Sequence, residues 1–220
     1  MVRRLVADDP GRSSPAAALP GTTGRKRDPD LTGRLLTEAV TLIAEHGIEQ
    51  FNADALAART RSGRASIYRR WPDLTELVVQ ALRTCTLVQP VGDHFSLRAD
   101  LLALLRAWSR PLNTEERAVA SVLGQAHRNP AIADCLHDVL ATPLHTVLVQ
   151  VAGRHARRSG GLPVPRLQML SLVVQSLWWQ RYVTPAAPAS EARLQAIVDG
   201  LLLPAVLDAR QPCCRWTVSD

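Results

Sequence analysis

Apolar residues Leu31, Leu35, Ala39, Leu42 and Ile43 recur three or four positions apart between Asp30 and His46, tracing one stripe along a helix. Gly47 follows at once and suits the left-handed position past a helix end. Asn52 predicts an N-cap, and Phe51 is placed to staple onto Leu56, so a short second helix is expected over Ala53–Thr60. A tight turn at Arg61-Ser62-Gly63 leads into a third helix over 64–71, which Pro72 stops. Asp73 with Glu76 three residues later predicts a capping box for a fourth helix over 74–84.

Pro90-Val91-Gly92 marks a break and a domain boundary. Beyond it the pattern stays helical, with helices expected over 95–109, 114–128, 131–157, 165–183 and 191–208. Asn113 with Glu116 forms another capping box, and Pro130 after Asn129 is an N1 proline. Pro143 falls inside the long helix and should kink it. Gly160-Gly161 ends that helix, after Arg154, Arg157 and Arg158 have met its negative dipole end. Nothing reads as a strand and no internal repeat is present, so the fold class is all-α. Residues 1–24, rich in Pro, Gly, Ser, Thr and Ala without periodicity, are expected as a disordered tail, and 211–220 as a C-terminal tail. Between them lie a first helical domain over 25–84 and a second over 85–210.

Length and charge narrow the functions. A chain of 220 residues can bury one sizeable core or two small ones. No stretch approaches the roughly 18 unbroken apolar residues of a membrane helix. Arg3 and Arg4 are followed by no apolar run, so a secretory signal is not expected and the cytoplasm is. The net charge of +6 favours a polyanionic partner. Among 26 basic residues only Lys26 is lysine. Arginine suits bidentate contact with phosphate and guanine, although a GC-rich coding bias would give the same excess. Cys85, Cys135, Cys213 and Cys214 form no CxxC pair and have no histidine at zinc-ligand spacing, which reads as reduced thiols with no metal site. No Ser/His/Asp arrangement, paired carboxylates or glycine-rich phosphate loop occurs at a usable spacing. No catalytic residue and no cofactor is therefore expected.

Residues 52–71 carry the chemistry. A helix-turn-helix needs two short helices at a fixed angle, the second free to enter the major groove. Leu56, Ala57 and Ile67 supply the apolar contact, leaving Arg64, Ser66, Tyr68, Arg69 and Arg70 to point outward. Five arginines and no acid lie between Arg59 and Arg70.

The run Leu56-Ala57-Ala58-Arg59, then Ala65-Ser66-Ile67-Tyr68-Arg69-Arg70-Trp71-Pro72, resembles the TetR family of bacterial regulators. Glu45-His46-Gly47 and Phe51 before it do so too. The detailed resemblance covers about residues 25–84, while the helical remainder is similar in layout. The Trp-Ser-Arg-Pro-Leu start of the second half and its Leu-Trp-Trp-Gln-Arg-Tyr segment resemble one C-terminal subgroup of the family. The resemblance implies a three-helix DNA-binding head, a helical C-terminal ligand and dimerisation domain, and repression relieved by a small molecule. Carried over by position, Arg64, Ala65, Ser66, Tyr68 and Arg70 match groove-facing positions, with Arg64 and Ser66 the candidates for base edges. Tyr68 and Arg69 are assigned to phosphates, with core packing the alternative for Tyr68. Asn52 joins them at the start of the second helix. Arg25 and Arg27 are either a DNA-contacting arm or a solvated tail. Three turn positions depart from the family pattern. Arg61 replaces a glycine that often takes positive φ, Ser62 a buried apolar residue, and Gly63 a serine cap. Leu74 stands where many members carry a phosphate-binding lysine.

In the second half, Leu167, Leu170, Val174 and Leu177, with Leu194, Ile197, Val198 and Leu201, are expected to form a homodimer interface, with intrachain core as the alternative. Two copies would read half-sites roughly 34–36 Å apart on double-stranded, palindromic DNA. Trp108, His127, Cys135, Leu148, Met169, Val173 and Trp178 are candidates to line a pocket for a mostly apolar small molecule, with core packing the alternative for each. The competing function is a constitutive or architectural DNA-binding protein with no effector.

Overall fold

The computed structural model describes residues 29–159, 161–184 and 187–207. Arg25, Arg27, Cys213, Cys214 and both expected tails lie outside them.

Helix α1, Pro29–His46, buries Leu35, Ala39 and Ile43. Gly47 ends it with φ +83° and ψ 159°, a backbone region open to glycine and almost nothing else. A 3-10 turn, Ile48–Gln50, leads to α2, Ala53–Thr60, and then to α3, Arg64–Tyr68. Leu56, Ile67 and Trp71 close the head core against α1. Helix α4, Leu74–Leu82, buries Leu77, Val78, Val79, Ala81 and Leu82 and runs from the head into the second half. Its N-cap is Asp73, whose carboxylate accepts from Thr75 N–H at 2.8 Å. Of the capping box expected there, this Asp73 cap is the half observed.

The second half comprises α5, Leu97–Ser109; α6, Thr114–Val122; α7, Pro130–Leu136; α8, Thr142–Ser159; α9, Val164–Val183; α10, Glu191–Ile197; and α11, Leu203–Leu207. Asn113 and Glu116 form the full reciprocal capping box on α6. One continuous hydrophobic core joins the head to these helices. No strand occurs among the described residues.

Several boundaries differ from the sequence expectation for local reasons. Helix α3 stops at Tyr68 rather than at 71. Trp71 precedes Pro72, a position that disfavours helical backbone, and the last turn tightens until Arg70 and Trp71 both donate to Ile67 O at 2.9 Å. The helix expected over 114–128 breaks into α6 and a 3-10 turn, Leu123–Gln125, before Asn129 caps α7. The expected kink near Pro143 is a π-turn, His137–Ala141, closed by Thr142 N–H on His137 O. A second π-turn, Val198–Leu202, precedes Pro204 in the same register, with Leu203 N–H on Val198 O. The wider turn accommodates a ring that would otherwise strike the carbonyl one turn back. The stretch Pro130–Arg158 is long and apolar enough to cross a membrane by length and composition, but half of its most apolar 18-residue window is buried inside this fold.

Candidate functional site

The turn before α3 keeps its shape despite its unusual residues. Arg61 takes the left-handed conformation, φ 51° and ψ 39°. Its N–H donates to Ala58 O at 3.3 Å, and Ser62 N–H reaches Ala57 O at 3.0 Å. This is the Schellman ending, made here by an arginine instead of glycine. Ser62 is half-buried, and its hydroxyl shares a 2.9 Å hydrogen bond with Thr60, which also donates to Leu56 O at 2.7 Å. A polar residue at this apolar position is therefore satisfied locally. Gly63 is the N-cap of α3 and provides no side-chain acceptor. Asn52 caps α2 by accepting from Ala55 N–H at 2.9 Å.

Ile67 and Trp71 anchor α3, and the Trp71 indole donates to Gln80 Oε1 at 2.8 Å. The opposite face leaves Arg64, Ala65, Tyr68 and Arg69 exposed. Arg64 lies over the Tyr68 ring, 5.4 Å from its centroid, and meets Asp54 at 3.3 Å. Stacking of this kind limits the conformations of both side chains before any partner arrives. Arg70 behaves differently. It is half-buried, donating to Ser66 Oγ at 2.5 Å, to Ser66 O at 3.0 Å and to Thr32 Oγ1 on α1 at 3.3 Å. Ser66 is half-buried and also receives Arg69 at 3.3 Å. Arg64 and Arg69 thus present the guanidinium groups of the outer face, whereas Arg70 braces α3 against α1.

Arg59 does not belong to the outward field. Its guanidinium takes Glu38 at 2.7 Å and Glu45 at 2.5 Å, both on α1. The hydrogen bond from Arg59 holds the Glu45 carboxyl below its usual range. Glu38 and Glu45 stand seven apart on one helix face, which is the signal in the sequence that could have shown this clamp. Leu74 is half-buried against the head core, so the lysine position of many family members is apolar packing here.

The head meets the second half along α1 and α6. Ile48 N–H donates to Ser121 Oγ at 2.7 Å, and Gln125 reaches Glu49 at 3.4 Å. At its other end α6 is held by a buried ion pair. Arg181 of α9 gives Glu116 two hydrogen bonds, 2.7 and 3.0 Å, while Glu116 also accepts from Asn113 N–H at 2.9 Å. Such a bidentate pair is directional as well as strong. Arg181 further donates to the Arg110 carbonyl at 3.0 Å.

Beside this pair lies a cavity of about 280 Å³, between the end of α5, the 110–112 loop, the end of α9 and the start of α10. Trp108, Pro111, Leu112, Ala187 and Ala189 line it with Arg110, Arg181 and Arg193. Its walls are tied together: Trp108 donates to Leu177 O at 2.7 Å, and Ser109 Oγ accepts from Ala189 N–H at 2.7 Å. Of the seven residues expected to line a pocket, Trp108 alone borders this one. Cys135, Leu148 and Trp178 are buried core, Val173 is half-buried, and His127 and Met169 are exposed. Helical periodicity finds the inward stripe, but a stripe fills a core before it lines a hollow. Among the expected dimer residues, Leu170, Val174, Leu194 and Val198 are buried within the single chain; Leu167, Leu177 and Ile197 are half-buried, and Leu201 is exposed. The first four are intrachain core, the alternative held open above.

A short cationic helix projected from a three-helix head, joined to a helical body with a cavity, defines a helix-turn-helix DNA-binding regulator. The sequence matches the family described as "Tetracyclin repressor-like, C-terminal domain" over residues 91–201 and "Bacterial regulatory proteins, tetR family" over residues 35–81. The chain belongs to the TetR family of transcriptional regulators. It is 29% identical over 184 residues to an uncharacterised HTH-type transcriptional regulator of Mycobacterium tuberculosis, covering 78% of this chain and 86% of that one. It is 27% identical over 176 residues to the DNA-binding transcriptional repressor TetR of Mycobacteroides abscessus, covering 77% and 90%. Its fold is similar to that of a transcriptional regulator from Saccharomonospora viridis crystallised with choline, with TM-score 0.58 and 16% identity, covering 81% and 98%.

Proposed function

We propose that this regulator is a homodimeric repressor, bound to a two-fold symmetric DNA site through α3 and released by a small molecule. The observation that carries the reading is the outward face of α3, where Arg64 and Arg69 stand exposed beside Tyr68 on a helix locked in place by Ile67 and Trp71. Arg64 is assigned to base edges and Arg69 to phosphate. Ser66 and Arg70 act together as the brace that sets the angle of α3. A relative is named a repressor, which supports that direction of control.

One α3 reads few bases, so two copies are needed for a specific site. The outer face of α9 supports pairing. Its inner face, Leu170, Val174, Trp178 and Tyr182, is buried in the chain, while Met169, Leu172, Ser176 and Val183 form a second, exposed stripe. Leu172 and Val183 are each about two-thirds exposed, at 66% and 70%. A helix apolar on both faces is stable in water only when both are covered. Leu201 lies exposed on the neighbouring π-turn. The cavity favours an effector-responsive regulator over a constitutive DNA-binding protein, whose second half would be filled.

The test is a binding-site selection with the purified chain, followed by anisotropy titration of the selected duplex. A symmetric site bound by two chains, and lost in the Arg64→Ala/Arg69→Ala variant, is the expected result. Equal affinity of that variant for the selected duplex would overturn the reading.

A further inference from the structure

We infer that the cavity beside α6 takes a small organic anion, a carboxylate on an apolar body, and that its charged group is read by Arg181 and Arg193. This rests on the effector reading above and names the ligand's chemistry.

Three arginines, Arg110, Arg181 and Arg193, border a hollow whose other walls are largely apolar. Among the described residues the one acid bonded to them is Glu116, and its carboxylate is fully buried and already engaged by Arg181 and Asn113 N–H. The cavity wall therefore carries an excess of positive charge. Arg193 is exposed, and its guanidinium has no partner among the described residues. Arg181 lines the hollow with only 7% of its side chain exposed. Trp108 and Leu112 give the apolar body its surface. The volume of about 280 Å³ falls just below the range of drug-sized ligand pockets, about 300 to 1,000 Å³, so the ligand is small.

The position of Arg181 gives such an anion a consequence. Arg181 is the group that fixes Glu116, and Glu116 closes the N-terminal capping box of α6. Ser121, five residues further along α6 and roughly 7–8 Å away by helical rise, holds the head through Ile48. A ligand carboxylate that draws Arg181 off Glu116 loosens the helix on which the head rests. Both sites act on one short rigid element, so no longer chain of contacts is required.

The experiment compares charge twins on the full chain. 2-Naphthoate and indole-3-acetate are titrated calorimetrically against 2-naphthamide and indole-3-acetamide, and each is then added to the protein–DNA complex. The acids are expected to bind at least tenfold more tightly than the amides and to lower DNA affinity. Arg193→Gln is expected to weaken acid binding about tenfold while leaving amide binding and the melting temperature unchanged. Because Arg193 has no partner to lose, this variant folds even if Arg181→Gln does not. Amides equal to acids, or acid affinity unchanged by Arg193→Gln, would overturn the anion assignment and leave the effector reading standing. Failure of acids, amides and a broader neutral and cationic set alike to bind or to release DNA would overturn both.

Discussion

Arg181 on α9 and Glu116 on α6, 65 residues apart in sequence, form a bidentate ion pair of which almost nothing reaches solvent. Burying two charges is costly, and their mutual attraction recovers that cost only with good geometry. Removing one partner should therefore be far worse than removing both. Glu116→Leu and Arg181→Met are each expected to lower stability by about 3–5 kcal/mol. The double variant Glu116→Leu/Arg181→Met should lose much less than the sum of the two single replacements. Urea denaturation of the four chains closes this cycle, and additive losses would show that the pair is not coupled.

The turn into α3 carries two correctable departures. Arg61 sits at φ 51°, where a non-glycine residue is strained. Arg61→Gly should gain up to about 1 kcal/mol, the smaller value applying if the extra freedom of the unfolded glycine chain offsets the relief. Gly63 is an N-cap without a side-chain acceptor, and an added Cβ there meets nothing within 4 Å. Gly63→Ser is expected to add a few tenths of a kcal/mol. Thermal melts read both, and a loss at Gly63→Ser would mean that the cap geometry is not that of α3.

Arg59 and Arg69 lie ten residues apart and should behave differently towards salt. Arg69→Ala removes an exposed cation at the C-terminal end of α3, so it should weaken all DNA sites and reduce the slope of log affinity against log salt by about one. Arg59→Ala breaks the clamp on Glu38 and Glu45 and should lower head stability without changing that slope. Arg64→Ala should instead alter base preference. An equal reduction of the slope in both variants would place Arg59 on the DNA, and no reduction in either would take Arg69 off it.

Residues two apart on α9, Leu170 and Leu172, should separate folding from assembly. Leu172 is exposed and Met169 likewise, so Leu172→Asp is expected to give a folded monomer by analytical ultracentrifugation. Leu170 is buried in the chain, and Leu170→Ala should cost about 2–5 kcal/mol in stability. A dimeric Leu172→Asp protein at micromolar concentration would move the interface elsewhere.

Helices α5 and α10, with the π-turn that follows α10, are laced by Arg106–Glu191 at 2.5 Å and Arg98–Asp199 at 2.7 Å. Each arginine's hydrogen bonds hold its carboxyl below the ordinary range. A carboxyl lowered on folding contributes stability above its unfolded pKa, and that contribution fades as pH falls through the folded value. Between pH 6 and pH 3 the protein should therefore lose more stability than the Arg98→Ala/Arg106→Ala variant. Both pairs are exposed, so added salt should shrink the difference. Parallel acid titrations of the two chains would refute the lacing.

What the sequence by itself determined was local. Asn52, Asn113, Asn129 and Pro72 start or stop helices because a cap or a missing N–H acts within one turn of its own residue. Arg61 could be foreseen as strained because the family resemblance puts a positive-φ glycine at its position, and chirality disfavours that angle for any other residue. The cationic character of α3 was legible too, since it depends only on residue type. Tertiary structure decided which of the chemically identical arginines remain free. Arg59 finds acids 14 and 21 residues back, Arg70 finds Thr32 on α1, and Arg181 finds Glu116 across the body. Closure of the chain also decided which apolar stripe of α9 is core and which is surface, because both stripes have the same period and similar residues. The cavity was beyond the sequence for the same reason: a hollow is set by where several distant elements fail to meet, and no single helix records that.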